Sequence, residues 1–310
     1  MEALKQAVRT YATRHRNRDG LALTPVPGLK LKCVEAPQGN LHAIMRPWMV
    51  IILQGAKRMV VGLEEQTFSA GQFAIVSVDM PVVTRIEKAS PDEPYLAIAV
   101  ELEMATLSEV AAHLGPMRSK RRSAIATLFA DDARASTLDC VERLLGLCDR
   151  PNVIPLLRPG IMRELHYWLL TGPHGSDLRA LCDPASHANR LAAAIAILRA
   201  EYRTRISVER LATESGMSLT AFHTHFKRML SLSPGQYQKR LRLIEARRLM
   251  LDEGASASSA AFEVGYESAS QFTREYGRLF NAPPKRDALR IRSASESLGT
   301  KAHEVLHPTT

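Results

Sequence analysis

The spacing of apolar residues changes along this chain, and each change marks a different kind of structure. Residues 1–20 are basic and Arg-rich, with Leu4, Val8 and Tyr11 at helical spacing, which predicts a short amphipathic helix or arm. Residues 21–103 read as strands: GLKLKCVEA at 28–36, then WMVIILQGAKRMVVGLEEQTFSAGQFAIVSV at 48–78, short runs rich in Val and Ile. Gly55, Gly62 and Gly71 punctuate them as turns do, and EKASPDEPYLAIAVEL at 87–102 adds a Ser-Pro turn and another strand. This predicts a compact β sandwich or barrel. From Thr106 the period becomes helical, with candidate helices at 106–114, 122–131, 135–148, 153–171 and 187–203. Gly115-Pro116, Arg150-Pro151 and TGPHG at 171–175 break them, and the polar, Ser-rich residues 291–310 read as a flexible tail.

The stretch 206–286 is the most informative. Ser207 is a good N-cap, and Val208, Leu211 and Ala212 give a short helix an apolar face. Gly216 suits a sharp turn that needs positive φ, and Ser218 can cap the helix that follows. That helix, 218–229, places Leu219, Phe222, Phe226 and Met229 on one face and Thr220, His223, Thr224 and Lys227 on the other. The arrangement recurs at 254–284. Ser256 is the cap, Phe262 and Val264 are apolar contributors, and Gly265 is the turn. A helix over 268–279 then turns Phe272, Tyr276 and Phe280 inward and Ser270, Gln271, Arg274 and Arg278 outward. Two short helices joined by a glycine turn form a helix-turn-helix, whose second helix can enter a DNA major groove. Between the two lies one long helix, 233–251, with Leu243, Ala246 and Leu249 or Met250 on one side. Its length of about 28 Å could hold two reading heads near one DNA turn, about 34 Å, apart.

Charge sharpens this reading. The 310 residues, enough for about two domains, carry 41 Lys plus Arg against 32 Asp plus Glu, a net +9. Residues 196–290 hold 16 basic and 10 acidic groups, two thirds of the excess, around the two candidate readers. Arg274 can donate two hydrogen bonds to a guanine and Gln271 can pair with an adenine. Lys227, Lys239, Arg240 and Arg278 suit phosphates. RSKRR at 118–122 reads as a solvated loop or helix start. Other chemistries find no support. There is no P-loop, dinucleotide fingerprint, paired-carboxylate motif or nucleophile elbow, so no enzyme and no cofactor is expected. His42 stands without an H-x-H in the strand region, and His223 and His225 face different sides of one helix, so no metal is expected. Met45, Trp48, Met49 and Met59 read as core. The first residues lack a signal-peptide core, and the longest apolar run, LAAAIAIL at 191–198, is far short of a membrane span. Cysteines 33, 140, 148 and 182 form no C-x-x-C, as expected of a reduced, cytoplasmic protein in which each is a small buried hydrophobe.

The paired helix-turn-helix, RLIEARRLM at 242–250 and GYESASQFTREYGRLFNAPP at 265–284 strongly resemble the AraC/XylS family of bacterial transcription regulators. IILQGAKRMVVG at 51–62, AGQFAIVSVDMPV at 70–82 and SPDEPYLAIAVEL at 90–102 resemble the N-terminal domain of one subgroup of that family. The resemblance implies an α+β chain: an N-terminal cupin-like β barrel with a helical dimerisation or linker region, followed by an all-α double helix-turn-helix DNA-binding domain. The corresponding divisions are an arm at 1–20, a sensor at 21–185, the DNA-binding domain at 186–290 and the tail. It places base reading on Thr220, His223 and Thr224 in the first head and on Gln271 and Arg274, with Ser270 beside them, in the second. It implies double-stranded DNA and RNA polymerase as partners, a small-molecule effector in the barrel, and an activator's role. Ala257 and Ala260 stand where relatives often carry bulky aliphatics, so looser packing is expected there. Two further expectations are open. Helices between 135 and 171 carry apolar stripes (Leu138, Val141, Leu144, Leu145, Cys148 and Ile161, Leu165, Trp168, Leu169) that would serve either a homodimer or internal packing. Cys33, alone in the strand region, would support an alternative redox- or electrophile-sensing role.

Overall fold

The computed structural model of this chain describes residues 1–62, 64–115 and 127–291. They form two compact units. The first comprises Met1–Ile195 with Ala212–Ser233, and the second Ala196–Leu211 with Pro234 onward.

The first unit begins with α1 (Glu2–His15), whose Leu4, Val8 and Ala12 are buried. Tyr11 lies at the edge of that face rather than in it. Strands follow: β1 (Leu21–Leu23), β2 (Leu29–Val34), β3 (Gln38–Met45), β4 (Trp48–Gln54), β5 (Ala56–Val61), β6 (Glu64–Ser69), β7 (Gln72–Val76), β8 (Met80–Lys88), β9 (Tyr95–Glu101) and, later, β10 (Leu128–Asp132). All pair antiparallel into a six-stranded sheet, β1-β2-β9-β4-β7-β10, and a four-stranded sheet, β3-β8-β5-β6. Side chains alternate between faces. In β2, Leu29, Leu31 and Cys33 turn outward beneath α1, whereas Lys30 and Lys32 turn into the sandwich, where Lys30 Nζ lies 4.7 Å from the Trp48 ring. In β5, Lys57, Met59 and Val61 face inward with Phe68, Val82, Thr84 and Ile86, while Arg58 pairs outside with Glu65 and Glu87. Met59 and Trp48 are buried in this core, Met49 is buried on the opposite face of β4, and Met45 is only half-buried.

Helices α2 (Met104–Leu114), α3 (Ala135–Gly146), α4 (Ile154–Leu170), α5 (Gly175–Cys182) and α6 (His187–Ala200) follow. The helix expected over 122–131 is not formed at its end: residues 128–132 are β10, paired with the free edge of β7. Residues 122–126, like RSKRR, fall outside the described ones, and Thr127 lies in a bend. An edge about fifty residues back supplies the hydrogen bonds, and no local period announces it. Phe129, buried and stacked 5.1 Å from the His174 ring, fixes the register. β3 lies between the two readable runs because its mostly half-buried QGNLHAIM lacks an apolar alternation. No helix among the described residues is long and apolar enough to cross a membrane.

In the second unit α9 (Pro234–Asp252) carries α10 (Ala257–Glu263) and α11 (Ala269–Phe280). Leu243, Ala246, Leu249 and Met250 join Ala260, Ala261, Val264, Phe272, Tyr276 and Phe280 in one buried cluster. Of the two alanines expected to loosen this packing, Ala260 is fully buried in the cluster and Ala257 is partly buried against it. Arg247 is nearly buried and pairs with fully buried Asp287 at 2.8 Å. Tyr276 Oη donates to the same carboxylate at 2.9 Å, and Arg290 at 3.0 Å. Burial alone would raise the Asp287 carboxyl, but the Arg247 guanidinium and these donors hold it below the usual range.

Candidate nucleic-acid interface

The first helix-turn-helix runs from α7 (Val208–Glu214) to α8 (Leu219–Leu230). Ser207 Oγ accepts the Arg210 N–H at 3.2 Å, and Ser218 Oγ accepts the Ala221 N–H at 3.3 Å. Each satisfies an amide the first helical turn leaves unpaired. Gly216 turns the chain at φ +58°. Phe222, Phe226, Met229 and Leu230 are buried, and Thr220, His223, Thr224 and Lys227 form an exposed face. Leu219 departs from expectation. It is 41% exposed because it directly follows the cap, ahead of the first full turn, and Leu230 fills the corresponding place at the other end. His223 is exposed, whereas His225 is half-buried and stacked 4.1 Å from the His187 ring. At the end of α8, Ser231 takes the left-handed conformation (φ 56°) and its N–H returns to the Lys227 carbonyl. This end meets the β5–β6 turn of the same unit: a Cβ on Gly62 would lie 2.2 Å from that of Ser231, and Thr127 Oγ1 donates to the Met229 carbonyl at 3.3 Å.

The second helix-turn-helix repeats the design. Ser256 Oγ caps α10 through the Ser259 N–H, and Ser268 Oγ caps α11 through that of Gln271. Gly265 turns at φ +89°, and a Cβ there would come within 1.8 Å of the Arg203 carbonyl oxygen. Arg242 of α9 fastens the same turn, donating to the carbonyls of Gly265 at 2.8 Å and Tyr202 at 2.7 Å. Phe262 is 56% exposed, contrary to its expected core role, because Ala260, Ala261 and Val264 take the buried face and Phe262 projects from the far side. Phe272, Tyr276 and Phe280 are buried as expected, and Ser270, Gln271, Arg274 and Arg278 are exposed.

Sequence reading missed the group that organises this surface. Glu275 accepts the Tyr266 hydroxyl at 2.8 Å, Lys239 Nζ at 3.1 Å and, more loosely, Gln271 Nε2 at 3.4 Å. Burial opposes its ionisation, but these donors hold its carboxyl low. A base-reading candidate and a phosphate candidate therefore share one carboxylate. Tyr266, directly after the turn glycine in a string read only as a signature, packs at 5.3 Å on Phe272 and delivers its hydroxyl to that carboxylate. Arg240 is half-buried on α9.

Elsewhere, Cys33 is buried, and burial pushes its thiol up despite Arg16 Nη1 at 3.4 Å, which disfavours the thiolate a redox or electrophile sensor requires. Asp139, Cys140 and Glu164 come together as metal ligands might, but Arg143 sits among them, paired at 2.9 Å with Asp139 and 2.6 Å with Glu164. Val141, Leu144, Leu145, Ile161, Leu165 and Leu169 are buried within the unit, so most of both helical stripes serves internal packing. Trp168 remains 37% exposed, and Leu156 and Leu157 of α4 project into solvent.

Residues 25–177 match the model of the AraC-type transcriptional regulator N-terminus, and residues 211–289 match a helix-turn-helix domain model, so the two span most of the chain. The HTH-type transcriptional activator RhaS of Escherichia coli (strain K12 / DH10B) is 30% identical over 98 residues, 32% of this chain and 35% of RhaS. The chain thus spans about a third of the length of the curated relatives it matches. Among solved structures, ToxT from Vibrio cholerae strain SCE256 with unsaturated fatty acid bound superposes at TM-score 0.55 and 9% identity, over 84% of this chain and 93% of ToxT. An apo form of ToxT from the same strain, carrying one lysine-to-alanine substitution, gives TM-score 0.56 at 9% identity, over 89% of this chain and 99% of ToxT. The likeness to ToxT is one of fold: an N-terminal sheet domain and a C-terminal helix-turn-helix region.

Proposed function

The chain belongs to the AraC-type transcriptional regulators, and on that footing we propose that it is a sequence-specific, effector-responsive reader of double-stranded DNA. Its two heads, 218–229 and 268–279, enter successive major grooves. Thr220, His223 and Thr224 read bases in the first, and Ser270, Gln271 and Arg274 in the second. Lys227, Lys239, Arg240 and Arg278 contact phosphates. The observation that carries this reading is the pairing of each capped helix's buried aromatic face with an exposed face of donors. To reach an adenine, Gln271 leaves Glu275, and its long bond there makes the exchange inexpensive. Contact by Lys239 with a phosphate likewise exchanges one anion for another.

The division follows the family: residues 21–185 sense a small molecule, 186–290 read DNA, and the arm and tail flank them. The protein acts in the cytoplasm as an activator that engages RNA polymerase. A homodimer through α4 is supported by the solvent-facing Leu156 and Leu157.

A salt-titrated mobility-shift assay against the protein's own upstream DNA tests the reading. Arg274→Ala should lose about 1–3 kcal/mol and relax one base position. Equal affinity of the native protein for upstream and random DNA would refute it.

A further inference from the structure

Three lysines turn into the sandwich of the first unit: Lys30 and Lys32 from β2, and Lys57 from β5. Interiors of two packed sheets are normally apolar, since an amine loses its hydration there. Lys30 lies over the Trp48 ring, and Lys32 Nζ donates to the Asp19 carbonyl. Lys57 has neither: among the described residues no carboxylate pairs with it. Burial, with the charge of Lys32 adding to it, brings its amine down to about 8.

The register places these groups. Gln38 of β3 and Lys32 both donate to the Asp19 carbonyl, so the row Lys32–Ala97–Ile52 of one sheet stands opposite the row Gln38–Ile86–Lys57 of the other. The next rows are Lys30–Ala99–Val50 and Leu41–Thr84–Met59. Ala99, on a central strand, remains half-buried, so solvent reaches between the sheets. The inward residues of the two edge strands, Leu23 of β1 and Leu41 of β3, are 63% and 51% exposed and form an apolar rim. Two amines at the back of an apolar-rimmed opening offer a negative charge the pairing that the protein does not provide.

We propose that this interior is the site of a small organic carboxylate with an apolar body, its carboxylate held by Lys57 and Lys32 and its body against Leu41 and Ala99. The proposal rests on the effector-responsive reading above and names the chemical class of the effector. The carboxylate exchanges water for two cationic donors, and its apolar part covers exposed leucine surface.

Calorimetry on the full chain tests it with sodium octanoate and sodium benzoate, set against octanol, benzyl alcohol, octylamine and benzylamine. The acids should bind, and the alcohols and amines should bind at least ten-fold more weakly. Lys57→Met and Lys32→Met should each weaken the acids at least ten-fold, Lys57→Arg should restore much of the loss, and Lys88→Met, on the surface, should change nothing. Melting curves confirm that each variant is folded. If alcohols or amines bind as well as the acids, or Lys57→Met binds the acids like the native chain, the carboxylate class is wrong while effector sensing stands. If none of the six binds, the carboxylate proposal fails, and effector sensing is judged separately by whether cell extract alters the DNA affinity of the native chain.

Discussion

Lys57 shows how a single side chain departs from what its position in the sequence announces. It lies in AKRMVV, a strand with no clean apolar–polar alternation, and a lysine there reads as a solvent-facing residue. Only the register of β5 against β8 turns it inward. Its amine falls from 10.5 to about 8 on folding. Between those values the unfolded chain keeps a proton that the folded one has released, so stability rises with pH from about 8 to 10.5. Below that window the folded state holds a poorly hydrated charge. Lys57→Met should therefore raise the melting temperature at pH 7, and the native chain's gain between pH 8 and 10.5 should shrink in the variant. Asp287 behaves oppositely. Its carboxyl is held down by Arg247, so its contribution is present above the ordinary carboxylate range and is lost as acid protonates it. Asp287→Ala leaves Arg247 buried without its anion and should cost about 3–5 kcal/mol by urea unfolding at pH 7. The exposed faces of α8 and α11 were legible from helical facing alone. Lys57, Glu275 and Asp287 were not, because each owes its state to partners brought from distant strands or helices.

At the scale of elements, caps and turns were the most legible features. Ser207, Ser218 and Ser256 each accept the amide three residues on, as their position before an apolar run implies. The two turn glycines look equivalent in sequence but are not equivalent in structure. A Cβ at Gly216 would meet only Arg190 Nη1, at 3.9 Å, so Gly216→Ala should cost about 1–2 kcal/mol for its left-handed backbone. At Gly265 the Cβ would collide with the Arg203 carbonyl, a rigid backbone atom that Arg242 also holds in place. Gly265→Ala should be clearly the more destabilising in denaturant titrations. Equal losses would mean that the close approach to Arg203 is relieved at no cost. The element that misled was β10, where LFADD pairs with a sheet edge that no window of neighbouring residues contains.

For the whole molecule, the basic excess over 196–290 should appear as salt dependence. Lys227, exposed beside the first reading face, should on replacement by Ala weaken all DNA sequences alike and lower the slope of log affinity against log salt by about 1. A change confined to one sequence would instead make it a base reader. The chain's broad plan, a sheet domain before two helix-turn-helix units, was visible in the change of period and in the repeated glycine turns. The division into compact units was not, since one boundary falls within α6 and another within α7.

The two heads close alike, on Ser231 and Asn281 in the left-handed conformation. They open differently: one residue separates Gly216 from its capping serine, but two separate Gly265 from Ser268, and the extra residue accommodates buried Tyr266. They also present different donors. A single molecule of this protein is therefore an arrow rather than a palindrome. Under the proposed DNA-reading role its recognition sequence has a head and a tail, and reversing that sequence beside a promoter should turn the bound protein to face the other way.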